Sequence, residues 1–76
     1  MKVEILSPGA SLFIGEASMV TLPGASGSFS VLDQHAPLIS TLTQGEIVID
    51  SGKMSIPILR GVIEVSENKV SILVQN

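Results

Sequence analysis

Apolar and polar residues alternate with a period of two along nearly the whole chain, and the 3.6-residue spacing of an amphipathic helix is almost absent. Alternation of this kind places successive side chains on opposite faces of an extended backbone, so it predicts a series of short strands. Lys2-Val3-Glu4-Ile5 starts the first, and Ser7-Pro8-Gly9 turns it. Ser11-Leu12-Phe13-Ile14 is the second, broken by Gly15, and Ala17 to Leu22 is the third, ended by Pro23-Gly24. Gly24-Ala25-Ser26-Gly27 reads as a loop, and Ser28 to Leu32 as a strand with Phe29 and Val31 on one face. After a turn at Asp33-Gln34-His35, Pro37 to Leu42 resumes an extended or briefly helical course.

The second half is more regular. Glu46 to Asp50 and Met54 to Leu59 flank Ser51-Gly52-Lys53, a hairpin turn whose glycine can take a positive φ. Pro57 has no N–H for a ladder, which places its strand at a sheet edge or at a bulge. Gly61 kinks the chain into Val62 to Val65, and Ser66 to Lys69 turns it into Val70 to Val74. Eight or nine strands with frequent turn signals predict a compact antiparallel sandwich or flattened barrel.

Composition narrows the function classes. With 76 residues the chain makes one domain at most, and a chain of this size buries only about 60% of its unfolded surface. It is 45% hydrophobic and 14% charged, with a net charge of −3, which is a folding composition. Only Lys2, Lys53, Arg60 and Lys69 are basic, so no stripe of cations exists to follow a nucleic-acid backbone. The absence of cysteine removes disulfide and thiolate chemistry, and no apolar run has membrane-spanning length.

The single histidine, His35, lies two residues after Asp33, but no G-x-S-x-G elbow accompanies them, and an Asp in a short turn more often caps backbone N–H groups. One histidine with scattered carboxylates also lacks the clustered ligands of a zinc or calcium site. The glycine-rich run Leu22 to Ser28 leads into a strand and has no Lys-Ser/Thr pair, so it is a turn rather than a phosphate loop. Lys53, on a tight turn, weakly resembles the modified lysine of biotinyl or lipoyl carrier domains, although Gly52 stands where those domains place an apolar or acidic neighbour. No cofactor is expected.

The order of the motifs is more specific than any one of them. Ser7-Pro8, Phe13 and Gly15-Glu16 are followed by Val20-Thr21-Leu22-Pro23-Gly24, Gly27, Phe29 and Val31-Leu32. His35-Ala36-Pro37-Leu38-Ile39, Gly45-Glu46-Ile47, Gly61 to Val65 and Asn68-Lys69-Val70 complete the series. Together they closely resemble the N-terminal domain of the epsilon subunit of F-type ATP synthases, over nearly the whole chain.

The resemblance implies an all-β fold, a small ten-stranded antiparallel β-sandwich or flattened barrel over residues 1–76. It implies a non-catalytic rotor subunit of the central stalk, held to the cytoplasmic face of a bacterial inner membrane only through the complex. Its partners would be the gamma subunit and the c-ring, and its task would be to couple proton or sodium-ion flow to ATP synthesis. Carried onto this chain, the gamma contacts would be Ser7, His35 and Ser40, and the c-ring contacts Ser26, Gly27 and Ser28. Relatives often place acidic residues at Ser26 and Ser28 and proline at Asp33, so the ring contact here would use serine hydrogen bonds and the turn before His35 would rely on capping by Asp33. Epsilon subunits commonly continue into a two-helix hairpin that restrains hydrolysis; read as complete at Asn76, the chain would be a single domain without that arm.

Overall fold

A computed structural model describes residues 1–76 as strands and turns, with no helix. The strands are β1 (Lys2–Ser7), β2 (Ala10–Glu16), β3 (Met19–Gly24), β4 (Gly27–Leu32), β5 (Leu38–Leu42), β6 (Gly45–Ile49), β7 (Met54–Ile58), β8 (Arg60–Ser66) and β9 (Lys69–Gln75). Their pairing order is β2-β1-β9-β8-β5-β3-β6-β7, with β4 added to β3. β5 and β3 touch through one pair, Gly24 with Leu42, and there the sheet folds over into two layers. One layer is β2-β1-β9-β8-β5 and the other is β4-β3-β6-β7.

The two layers enclose a core that follows the period-two pattern. Val3 and Ile5 of β1, Ile63 and Val65 of β8, and Val70, Ile72 and Val74 of β9 meet Val20 and Leu22 of β3, Val31 of β4, and Ile47 and Ile49 of β6. No polar or charged side chain is buried. The core therefore holds the two layers together by non-directional apolar burial, and register comes from the backbone ladders, the turns and the alternation.

The all-β class and the sandwich are as expected, with two corrections. There are nine strands rather than ten. The sheet is also not wholly antiparallel, because β1 runs parallel to β9, with Val3 beside Val70 and Ile5 beside Ile72. Alternation specifies which side chains point inward but carries no strand direction, and two strands at opposite ends of the sequence need no tight turn between them. Smaller differences have local causes. β2 continues through Gly15, over which the Phe13 ring packs, and Pro37 to Leu42 contains no helical turn. Gly61 lies within β8 and does not kink it; a Cβ there would meet the Leu73 carbonyl oxygen at 2.6 Å, so glycine permits close approach of β9. Pro57 sits on β7, the end strand of the pairing order, as its missing N–H requires.

Several turns bind distant segments. The β6–β7 turn places Asp50, Ser51 and Gly52 at positive φ, and the Asp50 carboxylate accepts hydrogen bonds from the N–H groups of Ser18 (2.8 Å) and Met19 (3.2 Å). These two bonds tie the β2–β3 connection to the hairpin tip. The Ser18 N–H, and after it the Met19 N–H, hold the Asp50 carboxyl below its ordinary pKa.

A depressed folded-state pKa stabilises the fold above pH 3.8, the ordinary value, and that contribution is lost as pH falls through the folded pKa. Asp50→Asn keeps a side chain tolerant of positive φ but removes the charge. Its melting temperature should lie below that of the parent at pH 7, and the gap should close as the pH is lowered below 4; a gap constant with pH would contradict the assignment. At the fold-over, a Cβ on Gly24 would lie 2.6 Å from the Gly27 carbonyl oxygen and 2.7 Å from the Phe29 ring. Gly24→Ala should therefore cost about 1–3 kcal/mol of stability, measured by urea denaturation.

Candidate docking surface

The register of the first layer determines what its outer face presents. Residues directly across a pair share a face, so Leu6 of β1, Leu73 of β9, Val62 of β8 and Thr41 of β5 form one row across four strands. Val62 is 43% exposed and Leu73 56% exposed, so the row is an apolar surface facing away from the core. It floors a groove of about 690 Å³ that Ser7, Pro8 and Arg60 border. Ile14 and Ile39 are further exposed apolar side chains on β2 and β5.

Sequence reasoning missed this row, yet a signal for it was present. Ile5-Leu6, Val62-Ile63 and Ile72-Leu73-Val74 break the alternation with consecutive apolar residues. Runs of consecutive apolar residues are the pattern of strands buried on both faces.

The expected site residues separate into two ends of the molecule. Ser7 closes β1 and borders the groove. Through the pairs Leu6–Leu73, Gly61–Val74, Leu42–Gly61 and Gly24–Leu42, it lies at the same end as Ser26, Gly27 and Ser28, which are exposed at the β3–β4 turn. Pro23 and Ala25 tie that turn to β5: the Thr43 N–H donates to the Pro23 carbonyl oxygen (2.8 Å) and the Ala25 N–H to that of Thr41 (3.3 Å). His35 is exposed at the opposite end, where the Gln34 N–H donates to Asn68 Oδ1 (2.8 Å) in the β8–β9 turn. At about 3.3 Å per residue, the five steps from Lys2, which pairs with Lys69, to Ser7 put roughly 17 Å between these ends. Ser40 pairs with buried Ile63 and so points toward the core side, while its neighbours Ile39 and Thr41 face outward.

The turn that presents His35 is built differently from the expected one. Asp33 does not cap it. Its carboxylate accepts a hydrogen bond from the Met1 ammonium, which also donates to the Ala17 carbonyl oxygen (3.0 Å) and has Glu16 Oε1 at 3.6 Å. The Asp33 hydrogen bond outweighs desolvation and holds the ammonium pKa above its ordinary value. With Asp33 engaged, Asn68 caps the turn through Gln34, whose φ of 65° is tolerated at a short polar-flanked bend. The His35 N–H donates to the Leu32 carbonyl oxygen (3.1 Å), and Nδ1 lies 2.7 Å from the Ala36 carbonyl oxygen, which fixes the ring against its own backbone. Lys53, in the β6–β7 turn, is exposed between Gly52 and Met54.

Comparison with known proteins identifies the lineage. The family described as ATP synthase, delta/epsilon chain, beta-sandwich domain matches residues 1–76. The ATP synthase epsilon chain of Sulfurimonas denitrificans is 46% identical over 78 residues, covering 99% of this chain and 60% of that protein. The ATP synthase epsilon chain of a Nitratiruptor species is 44% identical over 78 residues, with the same 99% and 60% coverage. Among solved structures, a chain of the Tetrahymena thermophila mitochondrial ATP synthase central stalk and c-ring superposes with a TM-score of 0.86 at 15% identity, covering 99% of this chain and 63% of that one. A chain of the Euglena gracilis mitochondrial ATP synthase gives 0.84 at 18% identity, covering 97% and 49%. These two likenesses speak to the fold alone. The chain thus spans about 60% of the length of the curated relatives it matches. Its nine-stranded sandwich, its motif order and its identity to these relatives make it a member of the delta/epsilon-chain β-sandwich family of ATP synthases.

Proposed function

We propose that this chain is the β-sandwich of an epsilon subunit in the central stalk of an F-type ATP synthase. It has no chemistry of its own there. It fastens the gamma subunit to the c-ring, so that rotation driven by proton or sodium-ion flow reaches the nucleotide-binding subunits. In this role it sits on the cytoplasmic face of a bacterial inner membrane, associated through the complex.

The observation that carries the reading is the apolar row of half-buried Leu6 and exposed Leu73 and Val62 on one outer face of a domain from this family. Solvent-exposed apolar side chains gathered on one face mark a surface that a partner covers. Gamma occupies this face, with Ser7 at one end of the contact and His35 at the other; Ser40 contributes through the outward-facing Ile39 and Thr41 beside it. Ser26, Gly27 and Ser28, exposed at the Ser7 end, meet the polar loops of the ring. Serines in place of carboxylates lose little, because an exposed ion pair is worth only about 0–1 kcal/mol.

Calorimetry with the gamma subunit of the same synthase tests the proposal. Leu73→Asp should weaken binding by at least about ten-fold, or 1.4 kcal/mol, because it puts a charge at the centre of the apolar row. His35→Ala should cost about 1 kcal/mol, and no change would place His35 outside the contact. In reconstituted vesicles, Ser28→Trp should lower ATP-driven ion pumping while leaving gamma affinity intact. A parent chain with no affinity for gamma would sink the reading.

A further inference from the structure

The register that builds the apolar row also sorts charge on either side of it. Two residues along from Val62 on β8, Arg60 pairs with Gln75; it is the one charged residue lining the groove. Two residues from Val62 in the other direction, Glu64 pairs with Ser71, and Ser71 with Glu4, which gives a second row bearing two carboxylates. Alternate residues share a face, so both flanking rows lie on the same side of the sheet as Leu73 and Val62. The ion pairs of the chain all involve the Met1 ammonium, and Arg60, Glu4 and Glu64 have no such partner; Lys2 and Lys69, paired on the same face two residues beyond Glu4 and Ser71, lie past the carboxylate row on the side away from Leu73.

The spacings explain why these charges do not satisfy one another. Arg60 and Glu64 are four residues apart on one strand, about 13 Å, and Glu4 and Glu64 are two strands apart, about 10 Å. The row from Leu6 through Leu73 and Val62 to Thr41 crosses four strands, about 14 Å. Those dimensions match a helix, which is about 10–12 Å across and covers 14 Å in roughly nine residues, with an apolar stripe at i, i+4 and i+7. The apolar row therefore runs between a cationic bank at Arg60, which lines the groove, and an anionic row at Glu4 and Glu64, which lies on the same face outside the groove lining.

We propose that the occupant of this groove is an amphipathic helix of the gamma subunit. Its apolar stripe is bordered by a carboxylate on the side that meets Arg60, and by Lys or Arg on the side that meets Glu4 and Glu64. The inference rests on the docking reading above and deepens it, because the two banks fix which way round the helix lies. Seated the other way, like charges would face each other across both banks, which is the arrangement that disfavours wrong registers in protein interfaces.

The test uses gamma as the titrant and Arg60→Glu, Glu64→Lys and Arg60→Lys variants, each first checked for an unchanged melting temperature, since both positions are exposed. Arg60→Glu and Glu64→Lys should each weaken binding by about ten-fold at low salt, and the loss should shrink in 0.5 M salt as exposed charges are screened. Arg60→Lys should stay within about three-fold of the parent. The two reversals shift the net charge in opposite directions. A long-range attraction between whole molecules would therefore strengthen binding in one variant and weaken it in the other, and that outcome would overturn the proposal. Leu73→Asp separates the two readings. Loss of binding in Leu73→Asp with no effect of either reversal would leave the docking face standing and overturn the charge assignment. Parent-level binding in Leu73→Asp would overturn both. Concentration-dependent dimerisation of the parent, abolished by Leu73→Asp, would assign the face to a second copy and likewise overturn it.

Discussion

The pairing of β1 with β9 is the constraint on which the remainder of the molecule depends. β1 lies between β2 and β9, so its loss would detach β2 and uncover β9 together. It brings Val3 and Ile5 into the core against Val70 and Ile72, and every one of those side chains is at most 1% exposed. The same ladder sets Leu6 beside Leu73 on the outer side. One register therefore specifies both the packing that stabilises the domain and the surface it offers. A slip by one residue would reverse both faces at once, which makes the register hard to lose while the core is intact.

Much of the fold was legible in the sequence because period-two alternation is a local property. The Pro8-Gly9 bend, the Gly52 hairpin and the two-residue turn at Glu67-Asn68 each act within a few residues, and the strands they join appear as expected. Direction was not legible, since alternation is identical for parallel and antiparallel neighbours, and so the β1–β9 pair escaped notice. The exposed apolar face was half legible. Ile72-Leu73-Val74 announces a strand wanted on both sides, but only the register shows that Leu73 stands beside Leu6 and Val62. Family resemblance supplied Ser7 and His35 as candidates, and only the three-dimensional arrangement shows that a strand's length separates them. Asp33 went to the Met1 ammonium, and Asn68 took over the capping expected of it, because a partner 34 residues from Gln34 is invisible to local reasoning.

Asn68 shows how so small a chain coordinates its far end. It sits at φ 58° in a turn with Glu67 at φ 52°, a left-handed pair suited to a tight hairpin. From there its side chain accepts from the Gln34 N–H, and its carbonyl oxygen accepts from the Lys2 N–H at 3.2 Å. The start of β1, the turn before β5 and the β8–β9 hairpin thus share one residue. Asp50 does similar work between the β2–β3 connection and the β6–β7 turn. With no polar side chain in the core, these surface turns carry most of the side-chain hydrogen bonds between segments distant in sequence, beside the backbone ladders.

Pro57 has a meaning beyond the position of its strand. The outermost strand of an open sheet normally offers a line of free N–H and C=O groups onto which another extended chain can add. β7 is such a strand, and Pro57 has no N–H to offer a newcomer, so the line is interrupted at its fourth residue. Growth of the sheet from one molecule into the next is discouraged at that margin. At that margin contact is left to side chains, whose shape and charge can choose a partner where a bare backbone cannot.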